Sequence, residues 1–480
     1  MSDSEPDPEP EPSAASRVVV LNVVGLQPDH VDPESTPNLA GLFGDGATTG
    51  AVPPFPAVTI PSQTTLSTGV SPSTHGDVSN AEYDRETDTV ELWGRNSGDR
   101  NRVWEAARDA DVTTGALFFQ HLYGTSADVA VTPKPIEDEN NNLIEMNCWT
   151  NPDGFYEELR EEYGHFPLHN YWGPAANAQG SEWILSAARE ATERYDPEML
   201  WTYVPHLDYT GQSHGPNSEA FDEALSEVDE LVGDYLDFLE ETDQWDETAV
   251  VVVSEYGFHE VSRPVFPNRA LREAGLMKTR DAEGDEEGQV PDLSASEAFA
   301  VADHQVAHVY CDAEAVETAR EALESLDGIE RILDGDDQAA YDIDSQSAGD
   351  LVLVADPDAW FAYYWWDDGE EAAMPPYADS VDIHEKPGYD PCELFLGEDG
   401  FVSTDPSKVK GSHGRVDPET TPFFGIGGPA APSLSLDGDI DMRQVAPTVL
   451  DLLGVHEAVD MEFEGASILA PSNELGPADD

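Results

Sequence analysis

The chain has 480 residues, 39% of them hydrophobic, which suffices for a large packed core and excludes a wholly disordered protein. Ninety-nine acidic residues against 22 basic ones give a net charge of -77, with no basic stripe to neutralise phosphates, so no nucleic-acid polymer is expected as a partner. The acids run through helices and loops alike, which points to a halophilic protein whose self-repulsion is screened in molar salt.

Residues 1–16 (MSDSEPDPEPEPSAAS) form an acidic, proline-rich tail with nothing to pack, so order is expected to begin at Arg17. Val18–Val24 is a nearly continuous β-branched run, the pattern of a strand buried on both faces. Similar runs recur at Leu200–Pro205 and Thr248–Ser254. Between them lie helical patterns. Residues 218–240 set Phe221, Leu225, Val228, Val232, Tyr235 and Leu239 on one face, and Trp183, Ala187, Ala188 and Ala191 mark an earlier helix. Alternating strands and helices predict an α/β fold with a mainly parallel central sheet and helices on both faces.

After Tyr256 the pattern changes. Residues 297–355 read as a strand (AFAVADHQVAHVYC), a helix over 314–326 and two further strands, followed by an aromatic stretch from Trp360 to Trp366. The predicted organisation is a core over 17–258, an inserted α+β cap over 259–404, the rest of the core over 405–472 and a tail over 473–480. Thr421–Gly425 and a final helix carrying VAPTVLDLLGV (445–455) complete the core. Cys148, Cys311 and Cys392 lie far apart and form no CxxC pair, which suits a reducing compartment. The longest apolar run is too short to span a bilayer, and the N-terminus carries no basic segment before an apolar one. A cytoplasmic protein without a membrane partner is expected.

Ligands of open α/β sheets bind beyond the carboxyl ends of the strands. Several segments deliver chemistry to that edge. The first strand ends near Asn22. A second segment runs Pro56-Ala57-Val58-Thr59-Ile60-Pro61-Ser62-Gln63 and opens a helix that reaches Gly69. His206 and Asp208 follow one buried strand, and Glu255 and Tyr256 follow another. Gly411-Ser412-His413-Gly414 forms a tight polar loop. Thr59 stands at the helix start, where backbone dipoles favour an alkoxide or a phosphate; a plain helix cap is its structural alternative.

These residues resemble the alkaline-phosphatase superfamily, in particular its type I phosphodiesterase/nucleotide pyrophosphatase branch. The likeness rests on Thr59-Ile60-Pro61, Thr68-Gly69, Pro72, His75-Gly76 and Asn80, in that order. It continues through Asp208-Tyr209-Thr210-Gly211, Gly215-Pro216, Ser254-Glu255-Tyr256-Gly257 and His413, and covers about 17–258 and 405–455. Sulfatases share the fold, but Thr59 and Gln63 exclude their signature. The resemblance implies Thr59 as nucleophile and Asn80 as the residue holding a phosphate oxygen. It implies metal-ligand positions at Asn22, Asp208, Gln212, Glu255, Tyr256 and His413. Four of these six residues depart from the family: Asn22 stands for an aspartate, Gln212 for a histidine, and Glu255-Tyr256 for Asp-His. Such a set is mostly oxygen and implies one or two divalent ions, Mn, Mg or Zn.

The implied function is a metal-dependent hydrolase of phosphodiester or phosphoanhydride bonds, acting on a small phosphate-ester substrate. The alternatives are a phosphate-ligand-binding protein that has lost turnover and a phosphoryl-group transferase. His214 and Asp303-His304 are further potential ligands, and Asp382 with His384 share a face if that segment is extended. His206 and the aromatic stretch read more simply as core residues.

Overall fold

The computed structural model describes residues 14–43, 47–93, 101–138, 143–283, 287–367, 369–382, 384–398 and 400–470. Most of the predicted N-terminal tail and all of the C-terminal one lie outside these residues. Ala15, inside the predicted tail, is buried and its N–H donates to Leu452 O at 2.8 Å.

Nine strands form the central sheet: β1 (Arg17–Val23), β2 (Thr48–Val52), β3 (Thr114–Leu117), β4 (Val129–Pro133), β5 (Cys148–Asn151), β6 (Met199–Val204), β7 (Thr248–Val253), β8 (Phe423–Gly427) and β9 (Ile440–Asp441). Their order is β9-β2-β8-β7-β1-β6-β3-β4-β5. β7, β1, β6, β3 and β4 run parallel, while β8 is antiparallel to β7 and β2, and β5 to β4. β1, β6 and β7 are buried at every residue, as their unbroken apolar runs require of strands covered on both faces.

Among the helices that bear on the site or cover the sheet are α1 (Thr59–Thr68), α2 (Ala178–Tyr195), α3 (His206–His214), α4 (Glu219–Glu240) and α5 (Val445–Leu452). All six predicted apolar positions of α4 are buried, and the Ser218 hydroxyl caps the helix by accepting the Phe221 N–H at 3.2 Å. α1 is buried along its whole length and ends at Gly69, which adopts the left-handed conformation (φ 69°).

The cap differs from the sequence-based expectation. Its first predicted strand is a hairpin of Ala298–Asp303 and Val306–Cys311, joined through His304 in the left-handed region (φ 59°). With Leu351–Ala355 and Ile329–Leu333 it forms a four-stranded antiparallel sheet. The aromatic residues Trp360, Phe361, Tyr363, Tyr364, Trp365 and Trp366 are all buried in a second hydrophobic core. That core also takes Ala81 and Leu92 from an earlier hairpin (Ala81–Asp84 with Thr89–Leu92), which belongs by position to the first part of the chain.

A segment around Lys386 closes the cap over α3. The buried Lys386 ammonium donates to Ser380 O at 2.9 Å, Asp390 Oδ2 at 3.0 Å and Glu393 Oε1 at 2.6 Å. A Lys386→Met variant leaves two buried carboxylates without their counter-ion, and a stability loss of about 3–5 kcal/mol is expected. Urea titration in concentrated KCl measures it.

Candidate active site

Val58 is extended and forms the cap position of α1, so Thr59 is the first residue inside the helix and not its cap. Its side chain is buried and its hydroxyl lies 3.2 Å from the Tyr256 hydroxyl. Tyr256 donates its single hydrogen to Asp208 Oδ1 at 3.1 Å. The threonine therefore donates to the tyrosine oxygen in this pair and keeps its own lone pairs as acceptors. Ile60 N–H is taken by Asn80 Oδ1 at 2.8 Å and Pro61 has no N–H, so this helix end attracts an anion chiefly through its dipole.

Pro205 ends β6, and the next residues turn directly into α3. His206, which follows the strand, is the first residue of this helix; it is buried and bonds Glu227 Oε2 at 2.7 Å. Helical spacing puts Asp208 and Gln212 on one face, where Gln212 Nε2 donates to Asp208 Oδ2 at 2.8 Å. The Tyr389 hydroxyl, from the cap, donates to Gln212 Oε1 at 2.9 Å.

Glu255 follows β7 and is fully buried. Its Oε1 accepts from Asn22 Nδ2 at 2.5 Å and from Gln63 Nε2 at 2.7 Å. Gln63 lies one turn beyond Thr59 on α1 and is fixed in turn by the Gln120 N–H at 2.6 Å. Burial pushes the Glu255 carboxyl up to about 8, although both amides pull the other way. Burial also raises Asp208, against the opposing influence of His304.

Asn80 is held between core and cap. Its amide donates to Asp303 Oδ1 at 3.0 Å and its backbone N–H to Asp303 Oδ2 at 2.9 Å. His304 Nδ1 lies 2.9 Å from the same carboxylate. The hairpin turn explains how adjacent residues reach one site: Asp303 ends a strand and His304 leaves it in the left-handed region.

His413 arrives beside Thr59 because Ala57 and Gly414 form a β-bridge. Its Nδ1–H donates to Ala57 O at 2.9 Å, which leaves Nε2 as a bare lone pair, buried, unpartnered and 3.8 Å from Asp208 Oδ1. Burial, then His304, depresses its basicity well below the ordinary histidine value. Four rings form a column: Tyr256 on His413 at 3.6 Å, His413 on His304 at 3.8 Å, and His304 on Tyr389 at 4.2 Å.

The structure thus gathers Thr59, Asn80, Asn22, Asp208, Gln212, Glu255, Tyr256 and His413 at one edge of the sheet. It adds Gln63, Asp303, His304 and Tyr389. Gln63 had a sequence signal, its spacing from Thr59; Tyr389 had none. His214 is exposed at the end of α3. Asp382 is half-buried and His384 exposed, and Asp382 Oδ1 accepts the His384 N–H at 2.7 Å in a local turn, so they form no extended pair.

A parallel-centred sheet with a capped site at its strand ends, fed by a threonine-led helix, defines an alkaline-phosphatase-like fold. Solved structures agree. Murine ectonucleotide pyrophosphatase/phosphodiesterase 5, in an inactive threonine-to-alanine form bound to AMP, superposes with a TM-score of 0.60 at 15% identity, covering 94% of this chain and 97% of that one. Phosphonoacetate hydrolase from Sinorhizobium meliloti 1021 gives a TM-score of 0.57 at 13% identity, covering 92% and 96%. The family described as type I phosphodiesterase/nucleotide pyrophosphatase matches residues 18–390, and the chain belongs to it. Ectonucleotide pyrophosphatase/phosphodiesterase 1 of Saccharomyces cerevisiae is 28% identical over 274 residues, 51% of this chain and 34% of that protein. Mouse bis(5'-adenosyl)-triphosphatase enpp4 is 23% identical over 253 residues, 52% of this chain and 49% of that protein. The chain thus spans between a third and a half of the length of these two relatives.

The donor set does not fit two resident metal ions. Both Asp208 oxygens and Glu255 Oε1 already accept hydrogen bonds from neutral donors, which leaves Glu255 Oε2, the neutral Asn22 Oδ1 and the imidazole nitrogens His304 Nε2 and His413 Nε2 as the buried atoms of the centre without a partner. Among the described residues no three histidine, cysteine, aspartate or glutamate side chains come together as a metal site.

Proposed function

We propose that the chain recognises a small phosphodiester or phosphoanhydride, of the nucleotide pyrophosphatase/phosphodiesterase class, and hydrolyses it with Thr59 as nucleophile. The observation that supports this most is the buried Thr59 hydroxyl at the first turn of α1, 3.2 Å from a Tyr256 hydroxyl that itself donates to Asp208. As the threonine oxygen bonds to phosphorus and the leaving oxygen departs, the threonine proton passes to the Tyr256 oxygen while Tyr256 passes its own to Asp208. Water then attacks the same phosphorus and gives one proton to the departed leaving group, and the threonine regains its proton from Asp208 through Tyr256 as its bond to phosphorus breaks. Asn80 steadies the helix start and the cap hairpin around the phosphate. The relatives' names support the substrate class. The acidic surface and three free, buried cysteines support a salt-rich, reducing cytoplasm as the setting. Among the described residues no helix is long and apolar enough to cross a membrane.

A second reading has a specific observation behind it. The carboxylates that would hold metal are paired with amides, which favours retention of a phosphate ligand without turnover. The test is the wild-type protein in concentrated KCl, with a chromogenic phosphodiester for turnover and AMP for calorimetric binding. Turnover supports hydrolysis; AMP binding alone supports the second reading; the absence of both refutes both.

A further inference from the structure

We infer that the centre around Thr59 works without a resident divalent metal, because neutral hydrogen-bond donors of this chain occupy the places that metal ions would fill. The inference rests on the reading that this centre is the functional one, and it does not depend on turnover.

Charge argues first. Three carboxylates are buried at the centre: Asp208, Glu255 and Asp303, the last engaged by Asn80 and His304. Two divalent ions would bring four positive charges against at most three negative ones, and a buried uncompensated charge is among the costliest arrangements in a protein. An aspartate at position 22 would add a further negative charge; Asn22 adds none. Turning either amide over would offer an oxygen in place of the nitrogen, yet the group would remain neutral.

Pairing argues second. Each replacement converts a lone pair into a donor, and each donor already has its carboxylate. Asn22 Nδ2 and Gln63 Nε2 converge on Glu255 Oε1, Gln212 Nε2 meets Asp208 Oδ2, and the Tyr256 hydroxyl meets Asp208 Oδ1. Gln212 cannot swing away freely, because its Oε1 accepts the Tyr389 hydroxyl from the cap. Three of the four oxygens of Asp208 and Glu255 thus accept hydrogen bonds from neutral donors, part of the task that metal ions perform in a carboxylate-and-imidazole site, while Glu255 Oε2 and Asn22 Oδ1 are buried without a partner.

Geometry argues third. The retained lone pair, His413 Nε2, lies 3.8 Å from Asp208 Oδ1, and its ring is stacked nearly parallel to Tyr256, at 4°. The other bare nitrogen nearby, His304 Nε2, belongs to the next ring of the same column, tilted by only 35°. An imidazole lone pair lies in the plane of its ring, so stacked rings keep theirs in separate, nearly parallel planes, whereas two imidazoles on one ion must aim theirs at a common point.

Metal quantification on protein purified in KCl, after incubation with excess Zn or Mn and removal of free metal, reads the inference directly. The expected content is substoichiometric for both, and the unfolding midpoint is the same in EDTA as in Zn or Mn. One or two tightly held ions per chain, or a midpoint raised by Zn or Mn and lost in His413→Ala, overturns it. The combined variant Asn22→Asp, Gln212→His and Tyr256→His, which returns a carboxylate and two imidazoles, is expected to gain at least one bound Zn. A folded combined variant that gains none shows that the three replacements are not what keeps metal out, and overturns the inference. Should that variant fail to fold, the wild-type metal content decides alone. Wild type that holds metal and turns over sinks this inference but not the proposed hydrolysis. Wild type without metal or turnover does the reverse.

Discussion

Replacing Thr59 with alanine is expected to lower turnover of a chromogenic phosphodiester by roughly 10³-fold or more, with AMP binding within a few-fold of wild type. The two effects separate because the substitution removes the oxygen that would bond to phosphorus and little else. Asn80 still accepts the Ile60 N–H and still grips Asp303, so the helix start and the cap hairpin keep their positions. Tyr256 still donates to Asp208 and loses only its acceptor role toward the threonine, a bond of 3.2 Å. One buried hydrogen bond of that kind contributes about 1 kcal/mol, so Thr59→Ala is expected to fold normally. Thr59→Ser keeps a hydroxyl at the same place and is expected to retain measurable turnover. Steady-state kinetics and calorimetry on the three proteins check this. Equal turnover in wild type and Thr59→Ala would reduce the threonine to a structural residue.

In dilute buffer the protein is expected to lose its tertiary structure, and molar KCl is expected to restore it. α4 shows the reason locally. Along Glu219–Glu240 the helix carries acids at 219, 222, 223, 227, 229, 230, 234, 237 and 240 and no lysine or arginine, and its outward-facing acids are exposed. Like charges three or four residues apart each cost ~0.2–0.5 kcal/mol at low salt, so this helix alone is destabilised by about 1–3 kcal/mol. A whole domain is stable by only about 5–15 kcal/mol. The same excess recurs along a chain with a net charge of -77. Screening shrinks from a range of about 10 Å at 0.1 M to about 3 Å at 1 M, short enough to isolate neighbours on a helix face. Thermal unfolding followed by near-ultraviolet circular dichroism at several KCl concentrations measures the effect. A midpoint independent of salt would end the halophilic reading.

Residue order alone was enough to specify the core sheet and the identity of most of the centre. Unbroken β-branched runs can be stable only between two covering layers, which is why β1, β6 and β7 are legible as central strands. The apolar stripe of α4 and the order of the motifs from Thr59 to His413 are likewise local properties of the chain. What the residues do to one another is not local. Asn22, Gln63 and Glu255 come from three separate elements, and only the closed sheet shows two amides converging on one carboxylate oxygen. Asp208 and Gln212 count in the sequence as independent ligand positions; α3 brings them together on one helical face, where one donates to the other. Adjacent Asp303 and His304 would face opposite ways in a regular strand, and a hairpin turn unites them by placing His304 in the left-handed region. Tyr389 carries no signal at all, since a lone tyrosine in a loop gains meaning only when the Lys386 segment folds it against Gln212 and His304. Residue type and spacing show which groups are available for chemistry. Whether a carboxylate is left open for a metal ion or is already neutralised by an amide depends on distances between residues far apart in the chain, and those are set only when the core and cap pack together.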